Sequence, residues 1–355
     1  MRGIAALAVV LYHIVHLANI AAPASFSFIA SDFGKGVHLF FVLSAFSLMH
    51  STEHTLHRHT WAGEYFVKRF FRIAPLFYLV LGGMILWPVI KSQVWVFDFK
   101  TILLNLTFTF GLAPWSGMVW AGWTVGVEML FYVILPVLLL TVRTRLATLL
   151  LVLVSILVSY AARSVLQVHY EHSVTHYGYN WAYFSFPTNL CFFALGIYAF
   201  RLSRDMNKDT LAMKWVIPAF SVILLAASML TSLNTPLSGL WKGDLILWGV
   251  GFAGLALWQS TQPSSWSANR IFEHLGERSY SIYLLHPIVI VLLGSPIREL
   301  YVMLGEYLGA YAYFVCAALV LVPLLVLAEI SYRIVEVPGI KYGQKINRKI
   351  RAKMV

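Results

Sequence analysis

Residues 123–141 read WTVGVEMLFYVILPVLLLT. The stretch carries a single charged side chain, Glu128. Coiled as a helix at about 1.5 Å per residue, it is long enough to cross the hydrocarbon core of a bilayer. Glu128 then lies roughly 7–8 Å inside one end of that helix, where a carboxylate needs a partner or a proton.

The rest of the chain repeats this pattern. Of 355 residues, 59% are hydrophobic and 12% charged, where a soluble domain carries about 25% charged residues. Further apolar stretches fall at 3–24, 34–51, 72–90, 146–165, 184–201, 214–233, 242–260, 279–296 and 308–332. The expected fold is all-α, a polytopic transmembrane helical bundle. It forms one domain over 1–340, followed by a basic cytoplasmic tail over 341–355. No internal repeat is visible. The first stretch lacks a small-residue cleavage site, so it reads as a retained helix rather than a secretory leader. Cys191 and Cys316 sit in separate apolar stretches and suggest neither a disulfide framework nor a thiolate metal site.

One apolar segment, TILLNLTFTFGL at 101–112, is too short to span and fits a re-entrant or interfacial piece. Basic clusters arbitrate. They lie at 58–72, 143–145, 201–214 and 341–353. If 101–112 re-enters, every cluster faces the cytoplasm, which gives about ten spans and cytoplasmic N- and C-termini. That topology places 25–33, 91–122, 166–183, 234–241 and 297–307 outside. These segments and their borders are rich in tryptophan (Trp87, Trp95, Trp115, Trp120, Trp123, Trp181, Trp241). An interfacial belt is the simplest role for such residues, and an indole can also stack on a sugar face. The net charge of +11 marks cytoplasmic loops here. No nucleic-acid motif accompanies it, so no nucleic-acid partner is expected.

Ionisable groups within spanning segments are costly and therefore functional candidates. In RGIAALAVVLYH, 2–13, a cation stands at the mouth of the first helix and His13 in its middle. Eleven residues advance about 16 Å and return to within roughly 20° of the same face. Arg2 and His13 thus share one stripe, rim to midplane. His286 precedes Pro287, which should interrupt the helical ladder locally. Lys35 and His38 lie near the outer end of the second helix. Arg69 and Arg72 share a helical face at the cytoplasmic surface, a natural clamp for phosphate, although either could be a simple topology anchor. Two histidine trios, His50/His54/His57 and His169/His172/His176, have helical spacing for a metal. Both lie in polar segments where histidine is ordinary, and no metal is expected.

These residues carry a resemblance. RGIAALAVVLYH resembles the first-helix signature of the membrane-bound acyltransferase family 3, an arginine and a histidine with ten residues between them. GVHLFFVLSAFSLM resembles its second-helix motif, and FVKRFFRIAPLFYL its basic third-helix entry. WTVGVEMLFYVILPVLL resembles its Trp–Ser–Leu–x–Val–Glu–x–x–Phe–Tyr motif. LGERSYSIYLLHP and SYRIVEVPGIK resemble its last two segments. The matches run in order from residue 2 to about 340. There are departures: Met1 replaces the usual Leu-Asp-Gly-Leu before the arginine, Ala45 stands for a glycine, and Thr124 for a serine whose hydroxyl it keeps.

The resemblance implies an integral membrane enzyme of the bacterial inner membrane. It would move acyl groups, most often acetyl from acetyl-CoA, onto hydroxyls of surface or exported carbohydrates. The acyl-CoA would be a co-substrate, with no permanently bound cofactor. His13 would be the catalytic histidine, Glu128 the motif glutamate, and Arg2, Arg69 and Arg72 the holders of the CoA phosphates. The chain is expected to lack the extracytoplasmic hydrolase-like domain fused to some members, and to act alone or with a separate partner.

An imidazole, with its ordinary pKa of about 6.5, is a usable base near neutral pH. His13 would deprotonate the acceptor hydroxyl as it attacks the thioester; acyl transfer through the histidine itself is the other route. Glu128 would orient the histidine or bind sugar hydroxyls. The 101–122 segment would wall the outer side, and His38, Trp123 and His286 would contact the acceptor or be structural. Two other classes compete. One is a proton-coupled transporter using His13, Glu128 and His286 as a relay. The other is a non-catalytic polysaccharide-binding or assembly protein.

Overall fold

The computed structural model describes residues 1–90, 97–170, 181–234, 244–262 and 269–352. Trp95, Trp241, His172 and His176 lie outside the described residues. Those residues contain no strand. Their α-helices of eight residues or more are α1 (Arg2–Ala18), α2 (Gly36–Glu53), α3 (Trp61–Ile90), α4 (Phe99–Leu106), α5 (Trp123–Thr141), α6 (Arg145–Tyr170), α7 (Phe186–Asp205), α8 (Ile217–Asn234), α9 (Asp244–Thr261), α10 (Arg270–Glu277), α11 (Ser279–Leu308), α12 (Ala312–Ser331) and α13 (Val337–Ala352).

Seven helical runs are long and apolar enough to cross a membrane: Phe33–Glu53, Trp61–Pro88, Trp120–Thr141, Arg145–Leu166, Ala182–Asp205, Ala212–Met229 and Ser279–Ala352, the last holding α11, α12 and α13. Arg2–Ala18 and Leu245–Thr261 are apolar but shorter. The multi-pass helical class stands. The first stretch is shorter than expected because Asn19 turns into the left-handed region (φ 56°) and ends α1. Arg298 Nε (3.1 Å) then donates to the freed carbonyl of Ala18, and the Tyr301 hydroxyl (3.0 Å) to that of Ala21. Beyond α1, short turns fold back over the bundle. They bury Asp32, which accepts from Lys35 Nζ at 2.5 Å.

The 101–112 segment does not span. Asp98 caps α4 by accepting from the Thr101 N–H (2.8 Å), and the Thr101 hydroxyl and N–H hold its carboxyl below the usual carboxylate range. After α4 the chain passes through 3₁₀ turns. Two boundaries differ from the sequence reading. α3 begins at Trp61, so most of the basic stretch 58–72 is helical rather than loop. α11 runs on to Leu308, so the whole of the expected outer loop 297–307 is helix, continuous through Pro287 and Pro296.

The bundle packs α7 against α2, α5, α6 and α9, and α1 against α2, α10 and α11. Close approach relies on small residues. A Cβ on Gly196 of α7 would lie 2.3 Å from the Val42 carbonyl of α2, and one on Gly36 would lie 2.8 Å from the Ala5 carbonyl of α1. α13 lies along the first turns of α3: Asn347 Nδ2 donates to the Glu64 carbonyl at 3.0 Å. A π-turn at Tyr332–Glu336 precedes it and buries Glu336, whose carboxylate accepts from the Ser281 hydroxyl. Cys191 and Cys316 are free thiols, both buried.

Candidate active site

The start of α1, the middle of α2, the basic turns of α3, the glutamate turn of α5 and the start of α11 surround one cavity. Arg2, Arg69, Arg72, Thr124, Glu128, Tyr132, Tyr280 and Tyr283 line it, with Phe40 and Phe41. Three guanidiniums therefore share the cavity with one carboxylate. None of the three forms an ion pair within 4.0 Å among the described residues.

What positions these groups is a column of serines on α2. Ser44, Ser47 and Ser51 are spaced by three and four and so share a face. The Ser44 hydroxyl donates to Glu128 Oε1. Arg2 Nη2 donates to Ser47 Oγ at 2.7 Å, and Arg69 Nη2 to Ser51 Oγ at 3.4 Å. The Tyr132 hydroxyl adds a second bond to Glu128 Oε1 at 2.6 Å. Sequence reading missed these serines. Their signal was present as hydroxyls at helical spacing in a motif otherwise read for its apolar residues. A serine in an apolar helix usually bonds its own preceding turn, as Ser47 also does to Leu43 O at 2.6 Å, so the pattern alone carried no meaning.

A second centre lies above this cavity. His13 of α1 and His286 of α11 meet, with His286 Nε2 and His13 Nδ1 at 3.1 Å. Their protons follow from what each nitrogen touches. His286 Nδ1 faces the Tyr283 carbonyl at 2.5 Å. A carbonyl only accepts, so Nδ1 carries the proton and Nε2 a lone pair. His13 Nδ1 lies between that lone pair and the Val9 carbonyl, 2.9 Å away, and must donate. The proton-free nitrogen of His13 is then Nε2, which has no partner among the described residues. Pro287 explains why the Tyr283 carbonyl is available. Residue 287 would normally donate its N–H to residue 283, and proline has none. The local break in the ladder expected at Pro287 is thus present within a continuous α11, and it frees the acceptor that sets the tautomer of His286.

Of the two roles expected for Glu128, orienting His13 or binding sugar hydroxyls, the first finds no direct contact here. Glu128 bonds to Ser44 and Tyr132, and His13 bonds to His286. Between cavity and histidine pair lies a small apolar cluster of Val9, Val37, Ala121 and Tyr283, with Phe40 and Trp123 packed on it. Tyr283 belongs to both layers: it lines the cavity, and its carbonyl holds His286. Arg2 and His13 sit at the two levels, as their common stripe implied.

The remaining candidates fall elsewhere. Trp123 packs edge-on against Phe184 (4.8 Å between ring centres) and Phe41 (6.0 Å). His38 is buried against Phe192 (4.3 Å) and Tyr183 (5.3 Å), with neither ring nitrogen hydrogen-bonded among the described residues. Neither residue touches the cavity or His13. Among the described residues, no three His, Cys, Asp or Glu side chains are grouped to hold a metal, the His50/His54/His57 trio included.

Comparison with known proteins places this multi-pass helical bundle in a family. The profile of the family described as "Acyltransferase domain" (acyltransferase family 3) matches residues 1–328, and the chain belongs to that family. It is also similar to proteins named "Putative O-acetyltransferase" from Staphylococcus aureus strains COL, MSSA476 and N315. Each is 27% identical over 241 residues, covering 63% of this chain and 36% of the relative. The chain thus spans about a third of the length of the curated relatives it matches. No solved structure matches.

Proposed function

We propose that the protein is an O-acyltransferase of the bacterial inner membrane, with both termini in the cytoplasm. It transfers an acyl group, acetyl being the simplest case, from acyl-CoA onto a hydroxyl of a cell-envelope or exported carbohydrate. The observation that carries this reading is the cavity of three guanidiniums and one carboxylate directly below the His13–His286 pair. Guanidinium forks suit the pyrophosphate of CoA. From that anchor the pantetheine arm points the thioester toward the histidines, about 16 Å up α1 from Arg2 by helix rise.

In the proposed step His13 Nε2 takes the proton of the acceptor hydroxyl as its oxygen attacks the thioester carbonyl. The C–S bond then breaks, the proton passes from His13 to the departing sulfur, and the products are the O-acyl sugar and free CoA. His286 acts through His13 as a positioning residue. Glu128, tied to Ser44 and Tyr132, offsets part of the guanidinium charge and fixes the cavity wall. A path for thioester or acceptor past Phe40 and Tyr283 requires those side chains to swing aside.

A proton relay through His13, Glu128 and His286 has less support, because Glu128 is bonded to neither imidazole and apolar side chains intervene. The test is turnover by the purified protein in lipid nanodiscs with acetyl-CoA and an acceptor glycan. Release of CoA with a matching gain of acetyl on the glycan is expected. Absence of donor consumption across candidate glycans, alongside proton-coupled uptake in vesicles, would overturn the proposal.

A further inference from the structure

Five hydroxyls line the arginine cavity, those of Thr124, Tyr132, Ser279, Tyr280 and Tyr283. Four are spent on the protein: Thr124 donates to the Ala121 carbonyl at 3.3 Å, Tyr132 to Glu128 Oε1 at 2.6 Å, Ser279 to the Gly276 carbonyl at 2.8 Å and Tyr280 to the Ile73 carbonyl at 2.9 Å. Tyr283 makes no hydrogen bond through its hydroxyl among the described residues. The hydroxyl beside it is that of Thr124. Tyr283 is only 6% exposed, and a phenol that deep normally has a partner.

Its position gives the unspent hydroxyl meaning. Tyr283 lies one turn before His286 on α11, with its ring centre 5.5 Å from that of His286, which is 4.8 Å from that of His13. Phe40 packs edge-on against it at 5.6 Å. Val9, Val37, Ala121 and Trp123 complete the layer between guanidiniums and histidines. That layer carries one hydroxyl, and the residue that bears it also lines the cavity.

On the acyl-CoA reading above, the phosphates are held below this layer and the thioester meets His13 above it. Attack on the thioester turns its carbonyl oxygen into an oxyanion, which in apolar surroundings needs a donor placed in advance. We infer that the Tyr283 hydroxyl is that donor, bonded to the thioester carbonyl oxygen and holding it more strongly as negative charge gathers there. The new bond joins the acceptor oxygen to the acyl carbon while the acceptor's proton passes to His13. The carbon–sulfur bond then breaks, the carbonyl re-forms, and the sulfur leaves with the proton from His13. Tyr283 keeps its own proton throughout. This role rests on the acyl-CoA reading and deepens it: the carbonyl of Tyr283 sets His286, and its hydroxyl touches the reacting group.

The test begins with Tyr283→Phe, which removes one oxygen and leaves both the ring and the carbonyl bonded to His286. Its kcat should fall about 10²–10³-fold, with KM for acetyl-CoA and the melting temperature near those of the unaltered protein. Tyr283→3-fluorotyrosine, which retains the hydroxyl, should keep the rate. Two inert donors read the same contact without turnover. S-ethyl-CoA lacks the carbonyl, and the trifluoromethyl ketone analogue of acetyl-CoA hydrates to a tetrahedral form. By calorimetry in nanodiscs the unaltered protein should bind the ketone at least about tenfold more tightly than S-ethyl-CoA. Tyr283→Phe should erase that difference while binding S-ethyl-CoA as before. A kcat for Tyr283→Phe within about threefold of the unaltered value would overturn the assignment. So would an equal loss of S-ethyl-CoA and ketone binding, which marks a structural or donor-binding role. If S-ethyl-CoA binds and the ketone binds no better, the oxyanion role falls and the donor reading stands. If neither binds, the acyl-CoA reading falls and takes this inference with it.

Discussion

At the residue scale the chemistry depends on which nitrogen of His13 is free. Two carbonyls, Tyr283 and Val9, leave one arrangement of protons across the pair, and it exposes Nε2. His13→Ala removes the base, and transfer should fall by about 10²–10⁴-fold while the protein still inserts and binds donor. Initial-rate kinetics with binding measured separately check this. His286→Phe keeps the base but loses its anchor. Its kcat should fall by up to about 100-fold with little change in donor KM, as expected for a misplaced group rather than a lost contact. An equal rise in donor KM would show that His286 touches the donor instead.

At the element scale two devices set the site. The first is the break in the α11 ladder at Pro287. Pro287→Ala returns an N–H to the Tyr283 carbonyl, which must then be shared with His286 Nδ1. The expected outcome is a several-fold lower kcat at unchanged or higher thermal stability, read by turnover and by melting in detergent. The second is the serine column of α2. Ser47→Val leaves the Arg2 guanidinium without its one hydroxyl partner, costing about 1–2 kcal/mol, and should appear mainly as a raised donor KM. Only part of this was legible in the sequence. Arg2, His13, Arg69, Arg72 and Glu128 stood out because charge in an apolar helix is costly. The meeting of His13 with His286 did not, because 273 residues separate them and no spacing rule spans that distance. His286 and the local ladder break at Pro287 were both legible, but not that the carbonyl freed there would be taken by His286 Nδ1.

At the scale of the whole molecule, the apolar stretches gave the helical class, and the short 101–112 segment overlaps an eight-residue helix that is not among the runs long enough to cross. What the hydropathy pattern could not give was where helices outrun their apolar parts. α3 extends through the basic turns, where Gly63 is the only weak helix former, and α11 continues past Pro296 through polar residues until Gly309, at φ 55°, ends it. Those extensions matter, since the first holds Arg69 on a helical turn of the cavity wall. Packing imposes its own limits. Gly196→Leu would drive a side chain into the Val42 carbonyl and should destabilise the α2–α7 contact by roughly 1–3 kcal/mol, visible as a lower melting temperature.

The central claim is that His13 links a cytoplasmic acyl-CoA to an acceptor on the other side of the bilayer. It is tested most directly in sealed proteoliposomes of uniform orientation, with acetyl-labelled CoA supplied only on the side of α13 and a glycan only on the opposite side. The account predicts that label reaches the glycan, and that His13→Ala abolishes this transfer without impairing insertion. Labelling that proceeds at the same rate in His13→Ala, or that occurs only when donor and glycan share one side, would contradict it.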